Sequence, residues 1–147
     1  MGFALRLLES SKFIPMPDDP ASSATARQTA EDHYYAALDL VLEGRHEQAV
    51  EEYRQAVEAD PRFTDALHGL SRALQDLNRL DEAIVVAQQI SDIDPDDILA
   101  HTSLSILYQK KGMVPEAEAE GNKARVLGWK QQLKKGSGTD SSRDGRG

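Results

Sequence analysis

Apolar residues recur at helical spacing through the middle of the chain. Ala66, Leu67, Leu70, Ala73, Leu74 and Leu77 form one stripe, and Ala83, Ile84, Ala87 and Ile90 form a second. The spacing predicts two amphipathic helices, each with one buried face. Between them stands Asn78-Arg79, and asparagine tolerates the left-handed conformation that closes a helix. Gly44 and Gly112 take the same place before and after, where glycine adopts that conformation without steric cost. Asp60-Pro61 and Asp94-Pro95 end the second helix of each pair, because proline disfavours helix at the residue before it.

These signals repeat at a fixed distance. Gly44, Asn78 and Gly112 lie thirty-four apart, as do Ala49, Ala83 and Ala117; Ala56, Ile90 and Ala124; and Pro61 and Pro95. A period of this length predicts a stacked array of helical hairpins. The unit resembles the tetratricopeptide repeat, a 34-residue pair of antiparallel helices, and divides the chain into 30–63, 64–97 and 98–131. The middle unit supplies Leu67, Leu70-Ser71, Leu74, Asn78, Ala83, Ala87, Ile90 and Pro95 to the family pattern. The first supplies Ala36-Ala37, Leu40, Gly44, Ala49, Tyr53, Ala56 and Pro61. The third supplies Leu104-Ser105, Tyr108, Gly112, Ala117 and Ala124. The resemblance covers about two-thirds of the chain. It implies an all-α, right-handed superhelical solenoid of three repeats, with a C-terminal capping extension to residue 135.

Departures from the pattern are informative. His33 and His101 stand where a large apolar residue is wanted, and Ala87 and Gly121 replace the second-helix aromatic. Gly128-Trp129 replaces the last proline. Trp129 and Leu133 are therefore expected to cover the apolar side of the final hairpin, since terminal repeats need a solubilising outer face.

Outside the repeats, Phe3, Leu5, Leu7, Leu8, Phe13 and Ile14 make a short apolar segment. Pro15, Pro17, Pro20 and a run of small polar residues follow, so 1–29 is expected to be that segment plus a flexible linker. Residues 136–147, rich in Gly, Ser and Asp, are expected to form a disordered tail. The apolar N-terminal stretch is too short and interrupted for a secretory signal, and Arg6 replaces the Ser or Thr of a myristoylation site. With no cysteine and no apolar run near bilayer length, a cytoplasmic location without membrane insertion is expected.

Charge narrows the partner. The net −8 is uneven: residues 30–97 carry −12, whereas residues 98–135 carry +4. An acidic body repels phosphate backbones and argues against nucleic acid, while it attracts basic peptides.

The resemblance further implies a concave groove lined by the first helix of each hairpin. Carried over by position, it comprises Glu31, Tyr34, Tyr35, Leu38 and Leu42; Asp65, His68, Gly69, Arg72 and Asp76; and Leu99, Thr102, Ser103, Ile106 and Lys110. Tyr34, Tyr35, Leu38, His68, Arg72, Leu99, Thr102 and Ile106 are the candidate binding residues. Arg72 can grip a carboxylate, and Gly69 and Ser103 leave room for a bound backbone. Chaperone-linked relatives hold a C-terminal carboxylate with Lys, Asn and Arg. The corresponding positions here are Tyr34, Leu38, Gly69, Leu99 and Ser103, so that clamp is missing.

No nucleophile, phosphate-loop or metalloprotease motif occurs, and no metal or cofactor is expected. His68 and His101 sit on adjacent first helices without a third ligand at metal spacing. Two functions remain. One is an adaptor or scaffold holding a peptide or amphipathic helix of another protein in its groove. The alternative is a structural subunit held through its termini or convex face. In that reading residues 1–14 cap the chain's own groove or mediate self-association.

Overall fold

The structure is a computed structural model that describes the backbone of residues 20–144 and the side chains of residues 24–136. Residues 1–14, and with them the proposed N-terminal contacts, lie outside the described residues. Six helices follow one another: α1 Pro20–Leu42, α2 His46–Ala59, α3 Thr64–Asp76, α4 Leu80–Ile93, α5 Ile98–Lys110 and α6 Val114–Asp144. No strand occurs among the described residues. Each helix packs chiefly on the next in the chain, so three hairpins stack into a solenoid, the second beginning at Thr64 and the third at Ile98.

The turn signals act as predicted. Gly44, Asn78 and Gly112 have φ values of 77°, 59° and 77°. At each point the following N–H donates back to the helix: Arg45 to Leu40 O, Arg79 to Leu74 O and Met113 to Tyr108 O, all at 2.8 Å. These bonds satisfy carbonyls that a helix end would otherwise orphan. Asp60 and Asp94 are extended C-caps, and their Oδ1 atoms accept the N–H groups of Arg62 (3.2 Å) and Asp96 (3.1 Å). The Asp-Pro pair thus both stops the helix and shapes the turn to the next hairpin.

Alanines at 49, 56, 66, 73, 83, 87 and 100 are buried along the helix seams and let the backbones approach. Between them Val50, Leu67, Leu74, Ile90, Leu104 and Leu107 fill the core. Ser71 and Ser105 occupy equivalent small positions, and each hydroxyl donates to a second-helix carbonyl, Ala83 O at 3.1 Å and Ala117 O at 2.8 Å.

Both ends differ from expectation. Helix α1 starts at Pro20, ten residues before the anticipated boundary at 30; proline is tolerated in a first helical turn and Ala21 to Ala30 is alanine-rich. Helix α6 runs to Asp144, into the anticipated tail. Trp129 and Leu133 do not cover the last hairpin: they are 65% and 57% exposed. The reason is length. Helix α5 begins only at Ile98, so the part of its antiparallel partner beyond Leu127 has no neighbour to cover.

Candidate interaction groove

The candidate residues fall in three rows across α1, α3 and α5, each row stepping by thirty-four. Glu31, Asp65 and Leu99 form the first row; Tyr34, His68 and Thr102 the second; Leu38, Arg72 and Ile106 the third.

The second row is engaged by its own chain. The Tyr34 ring lies 5.1 Å from Phe63, 6.1 Å from Tyr53 and 5.6 Å from Tyr35. Burial, reinforced by the negative charge of Asp65, raises the Tyr34 phenol above its ordinary pKa. At the equivalent point His68 Nε2 meets Asp97 Oδ2 at 2.9 Å. Phe63 and Asp97 both immediately precede the next hairpin, so Tyr34 and His68 fix one repeat to its successor. Asp97 also caps α5, its Oδ1 accepting the Ala100 N–H at 3.0 Å. The Thr102 hydroxyl donates to Ile98 O at 2.9 Å within its own helix.

The other two rows are more open. Asp65, Leu99, Arg72 and Ile106 are exposed or half-buried, and Glu31 and Leu38 are half-buried. Among the described residues Arg72 pairs with Asp76, one helical turn away at 3.5 Å, leaving most of its side chain exposed. Leu99 and Ile106 present apolar surface on the same helix.

Gly69 and Tyr35 differ from the sequence expectation. The space above Gly69 is filled by its own chain, because a Cβ there would overlap the Tyr53 ring of the preceding hairpin. This position therefore lies at the seam between repeats, not beneath a bound ligand. Tyr35 is its equivalent in the first repeat, where the described residues provide no preceding hairpin.

Three of the four histidines hydrogen-bond a carboxylate and His46 only approaches one, an arrangement that helical periodicity does not reveal. His33 Nδ1 meets Glu52 at 2.7 Å, His101 Nδ1 meets Glu120 at 2.7 Å, and His46 approaches Asp76 at 3.9 Å. The first two are the same pair, repeated two units apart. The middle repeat has buried Leu67 and Val86 at those places. The sequence does carry a signal for it: in both outer repeats Glu stands nineteen residues after His. His101 Nε2 also meets Pro95 O at 2.7 Å. Both ring nitrogens thus face oxygens, and with Glu120 ionised both donate, as in the imidazolium. Burial pulls the His101 pKa down, but the bonds to Pro95 and Glu120 outweigh it and the pKa is raised. Burial pushes Glu120 up, but His101 and Lys123 (3.1 Å) bring it below the ordinary carboxylate value.

His68 and His101 do not share a ligand, and no group of three or more metal-binding side chains gathers among the described residues. Asp94 and Asp97 are occupied in turn and cap. No helix of the described residues is long and apolar enough to cross a membrane.

A tetratricopeptide-repeat family model matches residues 40–107, from the first hairpin through α5. Residues 40–107 carry the tetratricopeptide-repeat signature. The solved structures agree on the fold. MamA superposes with a TM-score of 0.70 at 23% identity, the match covering 71% of this chain and 61% of MamA. The second such domain of Spaghetti (RPAP3), bound to the HSP90 peptide SRMEEVD, gives 0.65 at 20% identity, covering 69% of this chain and 94% of that one. YrrB, described as having an unusual peptide-binding site, gives 0.64 at 22% identity, covering 67% and 51%. This repeat protein thus spans about three-fifths of MamA and half of YrrB. No curated protein matches the sequence.

Proposed function

We propose that this tetratricopeptide-repeat protein is a non-catalytic cytoplasmic adaptor that holds a peptide or amphipathic helix of another protein against α1, α3 and α5. The observation that carries the reading is the third row, Leu38, Arg72 and Ile106, an apolar–cation–apolar track beside exposed Leu99. Apolar side chains left open in line on the first helices have no role in the chain's own core. Two similar folds, those of RPAP3 and YrrB, are described with peptides or a peptide-binding site. Tyr34 and His68, tied to the next hairpin, set the spacing of the three helices and so preorganise the track.

The ligand chemistry follows from the rows. Two apolar anchors meet Leu38 and Ile106, an acidic group between them meets Arg72, and basic residues face Glu31 and Asp65. An acidic tail such as SRMEEVD has no lysine clamp to meet, and Glu31 and Asp65 repel it. Peptides selected by display on the intact chain provide the test, with affinity read by fluorescence anisotropy. Leu38→Asp combined with Arg72→Glu weakens binding by about tenfold or more while helicity is unchanged, and SRMEEVD does not bind. Selected peptides that bind the double variant equally well refute the groove assignment.

A further inference from the structure

We propose that copies of this chain associate end to end, the trailing hairpin of one copy receiving the leading hairpin of the next and so continuing the repeat. This proposal is independent of the groove reading. It rests on the two end faces, which fit each other in shape, length and charge.

Shape comes first. Within the chain, the first junction is made by Tyr53 of α2 standing over Gly69 of α3. The second junction has Ala87 and Ser103 at the same two positions. A large residue is therefore opposed to none, and a small one to a small one. The two positions left over at the ends are Gly121 on α6 and Tyr35 on α1. Gly121 is the floor of an open cleft of about 510 Å³, also lined by Ser105, Gln109, Val114, Glu118 and Arg125. Tyr35 is 59% exposed, with Tyr34 against its ring. The knob and the hole are complementary again, with the sides exchanged.

Length makes the second case. First helices all run one way through the stack and second helices the other. The ten residues that α1 has before residue 30 and the stretch that α6 has beyond Leu127 therefore project from the same side of the solenoid. Set antiparallel with Gly121 opposite Tyr35, α6 of one copy places Trp129 at the height of Arg27 of the next. The overhanging apolar residues Trp129 and Leu133, uncovered in their own chain, then gain a helix to lie on. Trp129 gains a cation at its face. Arrays normally end in polar faces; here the trailing cleft is mixed, and Val114, Trp129 and Leu133 stand exposed on the same helix.

Charge makes the third. The leading hairpin, 30–63, has nine acidic side chains against three basic; residues 98–135 have seven basic against three acidic. Opposite ends attract and like ends repel, which favours head-to-tail over head-to-head contact. A heterologous contact of this kind does not close by itself and grows into open assemblies.

Sedimentation of the full chain, Tyr35→Glu, Trp129→Glu and an equimolar mixture of the two variants tests the proposal. The wild type is expected to grow past the dimer with concentration. It should weaken as salt rises from about 0.1 M to about 1 M and screening shortens from about 10 Å to about 3 Å. Each variant alone loses association by about tenfold or more. The mixture restores a 1:1 dimer that grows no further, because each variant keeps the face the other lacks; this also shows that both are folded. A wild type that stays monomeric at low salt overturns the proposal, and residues 1–14 seated on the leading face of their own chain would give that result. Dimers that persist in Tyr35→Glu but not in Trp129→Glu overturn it as well, since Trp129 would then be pairing with its own copy.

Discussion

At the scale of single residues, the outer repeats use an ion pair where the middle repeat uses two apolar side chains. His101 and Glu120 are well buried, and their mutual bond replaces the contact that Leu67 and Val86 make. Such pairs specify more than they stabilise, because desolvation offsets the attraction. His101→Leu alone strands Glu120 with only Lys123 and should cost about 1–3 kcal/mol. His101→Leu with Glu120→Val should be neutral or stabilising in urea unfolding. The pair also has a pH window. His101 holds its proton more tightly when folded, so its contribution is complete below its ordinary 6.5 and is lost as pH rises through the raised folded value. Glu120 is the reverse: its contribution is present above the ordinary 4.5 and is lost as pH falls through the lowered folded value. The stability difference between wild type and the double variant should therefore peak between those two values, and a flat difference from about pH 4 to about pH 8 would contradict the pairing. Gly69 gives a second residue-scale expectation. Alanine is the better helix former, but here its Cβ overlaps Tyr53. Gly69→Ala should destabilise by about 1–2 kcal/mol, and Tyr53→Leu should rescue it.

At the scale of elements, the helices are bounded by a few recurring devices that are legible in the sequence. The left-handed turns at Gly44, Asn78 and Gly112 and the Asp-Pro stops follow from backbone sterics, which act locally. Other features are hidden there because they depend on long-range partners. Asp97 is an example: in sequence it belongs to a cluster of aspartates, yet it caps α5 and grips His68 on α3. The starts of α2, α3 and α4 have no side-chain cap, so α5 depends on Asp97 more than they do on their own first residues. Asp97→Ala should cost about 1–2 kcal/mol, with faster amide exchange concentrated in the first turn of α5. The extents of α1 and α6 also exceed the sequence expectation, since composition alone does not say where an alanine-rich or lysine-rich stretch stops being helical. The covering role expected of Trp129 fails for a related reason: it requires a neighbouring helix that this chain does not supply.

At the scale of the molecule, three hairpins in register place residues thirty-four apart in rows, and function is assigned to rows. The periodicity alone supplies the rows, but not their division of labour. Tyr34 and His68 tie repeat to repeat, whereas Leu38, Arg72, Leu99 and Ile106 are the residues proposed to meet a ligand. Tyr35 belongs to the seam that Gly69 and Tyr53 define, and so to the end of the stack. The proposed function requires the open rows on α1, α3 and α5 to receive a partner segment. The most direct test is an amide chemical-shift titration of the full chain with a display-selected peptide. The largest shifts are expected on α1, α3 and α5 around Leu38, Arg72, Leu99 and Ile106, with α2 and α4 little changed. Shifts concentrated on α2 and α4, or confined to α6, would contradict it.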